Sequence, residues 1–118
     1  MSRQTELEEL VFHESCAEDG IVIMLRMGQD PGRERMHRLN SALKELDELS
    51  RGQTTLDRRL AYALFALAVY PDQETRSWAH AGREWLRELV SQEVIELMIH
   101  VESIFEGGLT GEEMHEAS

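Results

Sequence analysis

The stretch from Leu56 to Tyr70, ending against Pro71, constrains this chain more than any other feature. From Leu60 onward it carries Leu60, Ala61, Ala63, Leu64, Phe65, Ala66, Leu67, Ala68 and Val69 with no charged residue. A helix apolar on nearly all sides is normally the central one of its domain. Its four alanines would let neighbouring helices approach closely. Pro71 is expected to prevent much further continuation, because proline lacks the amide donor and clashes with the preceding turn.

The segments on either side supply helices to enclose it. Asp30-Pro31 combines an N-cap acid with proline at the first helical position. Met36, Leu39, Leu43, Leu46 and Leu49 then mark one apolar stripe, and Gly52 supplies a stop after Arg51. Residues 31–51 are therefore expected to be helical. Thr54-x-x-Asp57 resembles a cap for the apolar segment that follows.

Towards the N-terminus, Thr5-x-x-Glu8 is a capping box followed by Leu7, Leu10 and Val11 at helical spacing, which predicts a helix from about Thr5 to Glu14. Ser15-x-x-Glu18 is a second box leading into Ile21–Met27 and a stop at Gly28. The β-branched Ile21, Val22 and Ile23 would also suit a strand paired with Leu10–His13. An isolated hairpin is marginal without support, so a short buried helix is favoured and a small N-terminal β-hairpin is the alternative.

Beyond Pro71, Asp72 can cap a helix whose stripe is Trp78, Ala81, Trp85 and Leu89, with Leu86 beside it. Continuing that spacing meets Gln92 and Glu96, whereas Val94, Met98, Val101 and Phe105 form a stripe out of phase with it. With Ser91 as an N-cap at the slip, two helices are expected, about 73–90 and 92–106. Gly107-Gly108 ends the last, and the polar, acidic residues 109–118 are expected to be a disordered tail. The fold class is thus all-α: one domain over 1–108, a compact bundle of five to six helices with the alanine-rich helix at its centre.

The formal charge of the 118 residues is −11, and after Arg87 there is no Lys or Arg. A field of that sign repels phosphate backbones and anionic lipid, so direct nucleic-acid or membrane binding is disfavoured and a basic protein partner favoured. The arginines of the middle helices are interleaved with carboxylates and read as surface neutralisation rather than a nucleic-acid patch. The lone Cys16 cannot form an internal disulfide, no signal-peptide pattern opens the chain, and no apolar run could span a bilayer; the expected location is cytoplasmic.

Several arrangements could carry chemistry. Glu34-x-x-His37 and Glu112-x-x-His115 have the spacing of di-metal carboxylate bundles, and Glu9/His13 and Glu96/His100 share helix faces. Arg33, Arg35 and Arg38 would oppose a cation beside Glu34 and His37, so solvated Glu–His pairs are the simpler reading. His13-x-x-Cys16 lacks the third group and oxyanion hole that a nucleophilic dyad needs, and a buried structural thiol is the default. Phosphate-cradling and nucleophile-elbow motifs are absent, so no cofactor and no catalytic residue is implied.

Two features point towards recognition. Trp78 and Trp85 stand on one helical face, where they either fill the core or form a partner-binding or homodimer surface. Glu93, Glu96, Glu102 and Glu106 lie opposite or beside the last apolar stripe, as a solvated face or an electrostatic docking surface. The sequence-level expectation is a non-enzymatic helical protein–protein interaction or regulatory module with an acidic surface. The alternatives are an acidic neutralising protein (immunity protein, antitoxin or nucleic-acid mimic) and a metal-dependent helical-bundle enzyme.

Overall fold

The computed structural model describes residues 2–107, so the expected tail at 109–118 lies outside the described residues. The described chain is mainly helical and without strands. Four long helices, α1 (Arg3–Cys16), α3 (Arg33–Ser50), α4 (Arg58–His80) and α5 (Glu84–Glu106), are joined by the six-residue α2 (Ile21–Arg26). The N-terminal β-hairpin does not form: Leu10–His13 lie in α1 and Ile21–Arg26 in α2.

The first helix begins one turn earlier than the Thr5 capping box suggests. Ser2 is the N-cap, its hydroxyl accepting the Thr5 amide at 3.1 Å. Ser15 caps nothing; it lies inside α1 and donates to the Phe12 carbonyl at 3.2 Å. The chain then reverses tightly, and Gly20 sits so close to α1 that an added Cβ would fall 2.4 Å from the His13 oxygen and 2.8 Å from that of Glu14. Only glycine fits there. Helix α2 ends at Gly28, which has φ of +75° and starts a left-handed turn closed by a bond from the Gln29 amide to the Met24 carbonyl.

Asp30 does not cap α3 directly. Its carboxylate accepts the Gly32 amide at 2.9 Å, and Gly32, with φ of +91°, becomes the N-cap. Met36, Leu39, Leu43 and Leu46 are buried as their spacing predicts, while Leu49 turns out to solvent.

Pro71 does not end its helix. Helix α4 continues for nine residues beyond it, and Pro71 is itself buried. The interruption is bracketed by polar groups: the Thr75 hydroxyl donates to the Pro71 carbonyl at 2.8 Å, and Arg87 donates to the Asp72 carbonyl and carboxylate. Asp72 is accordingly an ion-pair partner inside α4 rather than a cap. The true break falls at Gly82, whose φ is +93°; the Arg83 amide reaches back to the Trp78 carbonyl at 2.8 Å and closes the end of α4.

There is likewise no break at Ser91. Helix α5 is continuous because its buried stripe is Leu86, Val90, Val94, Leu97, Val101 and Ile104, an unbroken series of three- and four-residue steps. The stripe through Trp85 and Leu89 is not the core stripe, so its phase slip has no structural consequence.

Helix α5 packs against α3 and α4, and α1 packs against the same two helices. Arg3–Glu45 and Arg35–Glu14 contacts set α1 antiparallel to α3. Helix α3 runs parallel to α5, with His37 near Glu93 at one end and the Gly52 amide on the Gly107 carbonyl at the other. The smallest dimension is 21 Å, which accommodates two helix layers at an interaxial spacing of about 8–10 Å. In so thin a body no helix is surrounded. Leu60, Ala63, Leu64 and Leu67 of the alanine-rich helix are buried, but Tyr62 and Phe65 face outward.

One charged pair crosses the core. Glu14, 1% exposed, accepts from the Arg35 guanidinium through both carboxylate oxygens. The same guanidinium donates to the Asp19 carbonyl and touches the Met24 sulfur, so one side chain of α3 ties together α1, the α1–α2 turn and α2. The hydrogen bond to Glu14 raises the Arg35 pKa above its usual value against the lowering effect of burial. The stability linked to that shift is present below the ordinary arginine pKa and is lost only above it, so this guanidinium introduces no pH dependence near neutrality.

Two stability experiments follow, both read by urea denaturation. Gly20→Ala should cost about 2 kcal/mol or more, as overpacking against fixed backbone does. Gly52→Ala, where φ is +92° but space is open, should cost about 1–2 kcal/mol for the backbone conformation alone. Arg35→Met should cost about 3 kcal/mol or more because it strands a buried carboxylate, and Glu14→Gln in the same chain should recover part of the loss. A cost for Arg35→Met no greater than about 0.5 kcal/mol, the usual range of a surface substitution, would remove the pair from this role.

Candidate interaction surface

Because α5 buries only one side, its opposite side lies on the outside of the thinner dimension of the fold. Sequence would ordinarily place polar residues there. Instead Trp85, Leu89, Ile95, Met98, Ile99 and Phe105 are each between 41% and 57% exposed. At 100° per residue Ile95 and Ile99 lie opposite the core stripe, Trp85 and Leu89 on one flank, and Met98 and Phe105 on the other. Met98 and Phe105 share the flank of Arg87, which reaches α4. Large apolar side chains scattered singly are ordinary on a surface; here the six form a strip that winds across the outer face, with Ile95, Met98 and Ile99 adjoining at its centre and its two ends on opposite flanks.

The two tryptophans have different roles, since Gly82 puts them on separate helices. Trp78, on α4, is partly buried against the core, donates from its indole N–H to the Leu25 carbonyl at 2.9 Å, and is covered by the Arg83 guanidinium 4.6 Å from its ring. It fastens the end of α2 to α4. Trp85 stands near the start of α5, half exposed, and belongs to the outer strip.

The carboxylates divide in the same way. Glu93 is buried; its Oε1 lies 3.5 Å from Arg33 and 3.4 Å from His37, and its carbonyl accepts the Asn40 amide. It belongs to the α3–α5 interface and is not part of the outer surface. Glu96 is half-buried beside a groove with His37, Asn40 and His100. Glu88, Glu102 and Glu106 are exposed around the apolar strip. Glu88 was not singled out from sequence, although its placement one turn before Gln92 on the outer face makes it equivalent to the other two.

The residues considered for chemistry are dispersed. Among the described residues no three His, Cys, Asp or Glu side chains converge as metal ligands. His37 meets Glu93 rather than Glu34, and His13 meets Asp19 at 3.1 Å. Helices α1 and α5, which carry His13 and His100, share no substantial interface. Glu112 and His115 lie outside the described residues. Cys16 is exposed rather than buried, because α1 points Leu7, Val11 and Glu14 inward and leaves its last residue outside. Arginines of the middle helices are engaged in intramolecular pairs, including Arg26–Glu74, Arg33–Glu93, Arg35–Glu14 and Arg87–Asp72. Among the described residues no helix is long and apolar enough to cross a membrane.

Comparison with known protein families, with curated proteins and with solved structures gives no significant match.

The unequal tryptophans can be distinguished in solution. Trp85→Phe should leave an emission shielded from acrylamide and little change in stability. Trp78→Phe should leave a readily quenched emission and cost about 1 kcal/mol or more, because it removes a hydrogen bond and packing around it. Equal quenching in the two variants would contradict the placement of these rings.

Proposed function

We propose that this chain is a non-enzymatic helical interaction module that docks another protein along the outer face of α5. The observation that carries this reading is the exposed strip of Trp85, Leu89, Ile95, Met98, Ile99 and Phe105 on a helix whose other side is fully used by the core. Leaving that much apolar area in water forgoes about 25 cal/mol for each Å² that burial would remove. Binding by a partner offsets this cost. Tryptophan is enriched among the residues that carry interface binding energy, and Ile95, Met98 and Ile99 supply adjoining apolar area beside it.

The bordering carboxylates make an acidic rim, so the proposed partner is basic. A nucleic-acid mimic is less well supported, because such a mimic presents repeated charge, whereas here Ile95 and Ile99 occupy the middle of the face and Glu93 is turned inward.

The test is to isolate partners with the wild-type chain and with Ile95→Ser/Ile99→Ser, then titrate any differentially retained protein in purified form. Both isoleucines are exposed, so the variant should unfold within about 0.5 kcal/mol of wild type. Its affinity should fall at least about 30-fold, the loss of one interface anchor worth about 2 kcal/mol. A partner bound equally by both proteins would move the site elsewhere, and no differential partner at all would defeat the proposal.

A further inference from the structure

We infer that the occupant of the α5 face is an amphipathic helix with Lys or Arg placed two turns to either side of a central apolar pair, and not a second copy of this chain. The inference rests on the proposed docking role of α5 and specifies what that role would select.

The centre of the strip is Ile95 and Ile99, four residues apart and hence on one ridge of the helix. Glu88 stands seven residues before Ile95, and Glu106 stands seven residues after Ile99; all four lie on the outer face. Glu102, one turn after Ile99, adds a third exposed carboxylate. No Lys or Arg follows Arg87 in the sequence, and Arg87 is turned towards Asp72, so α5 offers no cation of its own to balance this rim.

That symmetry decides against self-pairing. If two copies of α5 packed antiparallel about the isoleucine pair, Ile95 of one would meet Ile99 of the other, and Glu88 would be brought opposite Glu106 at both ends. A parallel pairing in register would set each of Glu88, Glu102 and Glu106 against its own counterpart. Both arrangements bury the apolar strip only by facing carboxylate with carboxylate, which destabilises association. A helix of opposite charge placed on the same ridge removes the repulsion and gains steering from the negative field. A groove-binding extended strand would use neither the helical ridge nor the seven-residue spacing.

The experiment uses the full chain and two synthetic helical peptides of equal length, each with a central i, i+4 leucine pair. One peptide carries Lys seven residues outside each leucine, and the other carries Glu at those positions. Calorimetric titration should show the Lys peptide binding at least about ten-fold more tightly at low salt, with the preference shrinking as ionic strength rises. Glu88→Gln/Glu102→Gln/Glu106→Gln should bring the two affinities together without weakening the Glu peptide. Equal affinity of both peptides for the wild type would overturn the charge assignment while leaving α5 as an apolar docking face. Failure of both peptides to bind a folded chain would overturn the docking face as well. A dimer in light scattering that Ile95→Ser/Ile99→Ser dissociates would make a second copy the occupant and refute the inference.

Discussion

Arg35 fixes how the end of α1 and the turn that follows it sit on α3. Its guanidinium holds the buried Glu14 carboxylate, the Asp19 carbonyl and the Met24 sulfur at once, while Arg3–Glu45 and the buried Leu7 and Val11 secure the rest of α1. A buried carboxylate is tolerable only with a partner of this geometry, because its desolvation must be offset by several directed hydrogen bonds. The pair therefore contributes less as net stabilisation than as a constraint on arrangement. An α1 docked in another register would leave Glu14 in the core without its cation.

The helical class was legible because it depends on spacing, and spacing survives tertiary context. The buried positions Met36, Leu39, Leu43 and Leu46 of α3 follow from the periodicity of the sequence, and Gly28 and Gly52 end helices through a positive φ that other residues disfavour. Pro71 was misleading because proline removes one hydrogen bond, whereas the packing of α4 against α2 and α5 extends on both sides of it. Neither Thr75 nor Arg87 could be assigned to this bracket without knowing that α5 folds back beside Asp72. Gly82 was the available signal: it follows Ala81 and precedes a charged first turn, and it is where α4 ends.

The outer face of α5 was legible only in part, because a tryptophan that would fill a core would equally anchor an interface. The spacing through Trp85 and Leu89 leads to Gln92 and Glu96, which implies a phase slip and a break at Ser91 whether that face is core or partner surface. The competing stripe through Leu86, Val90 and Leu97 has smaller members and no interruption. Periodicity identifies a helix that is apolar on two sides, but it does not say which side meets its own fold and which meets another protein. In a body two helices thick, that choice is set by which neighbours α5 acquires, namely α3 and α4.

The parallel alignment of α3 and α5 has an electrostatic consequence of its own. Peptide dipoles in a helix sum to about half a negative charge at its C-terminus, and here two such termini lie side by side, joined through Gly52 and Gly107. Neither helix carries a basic residue in its last turn to offset them. The antiparallel α1 turns its N-terminus and Arg3 towards the C-terminal part of α3, and Arg51 follows that helix directly, so the unmatched negative end belongs to α5, where Glu102 and Glu106 stand.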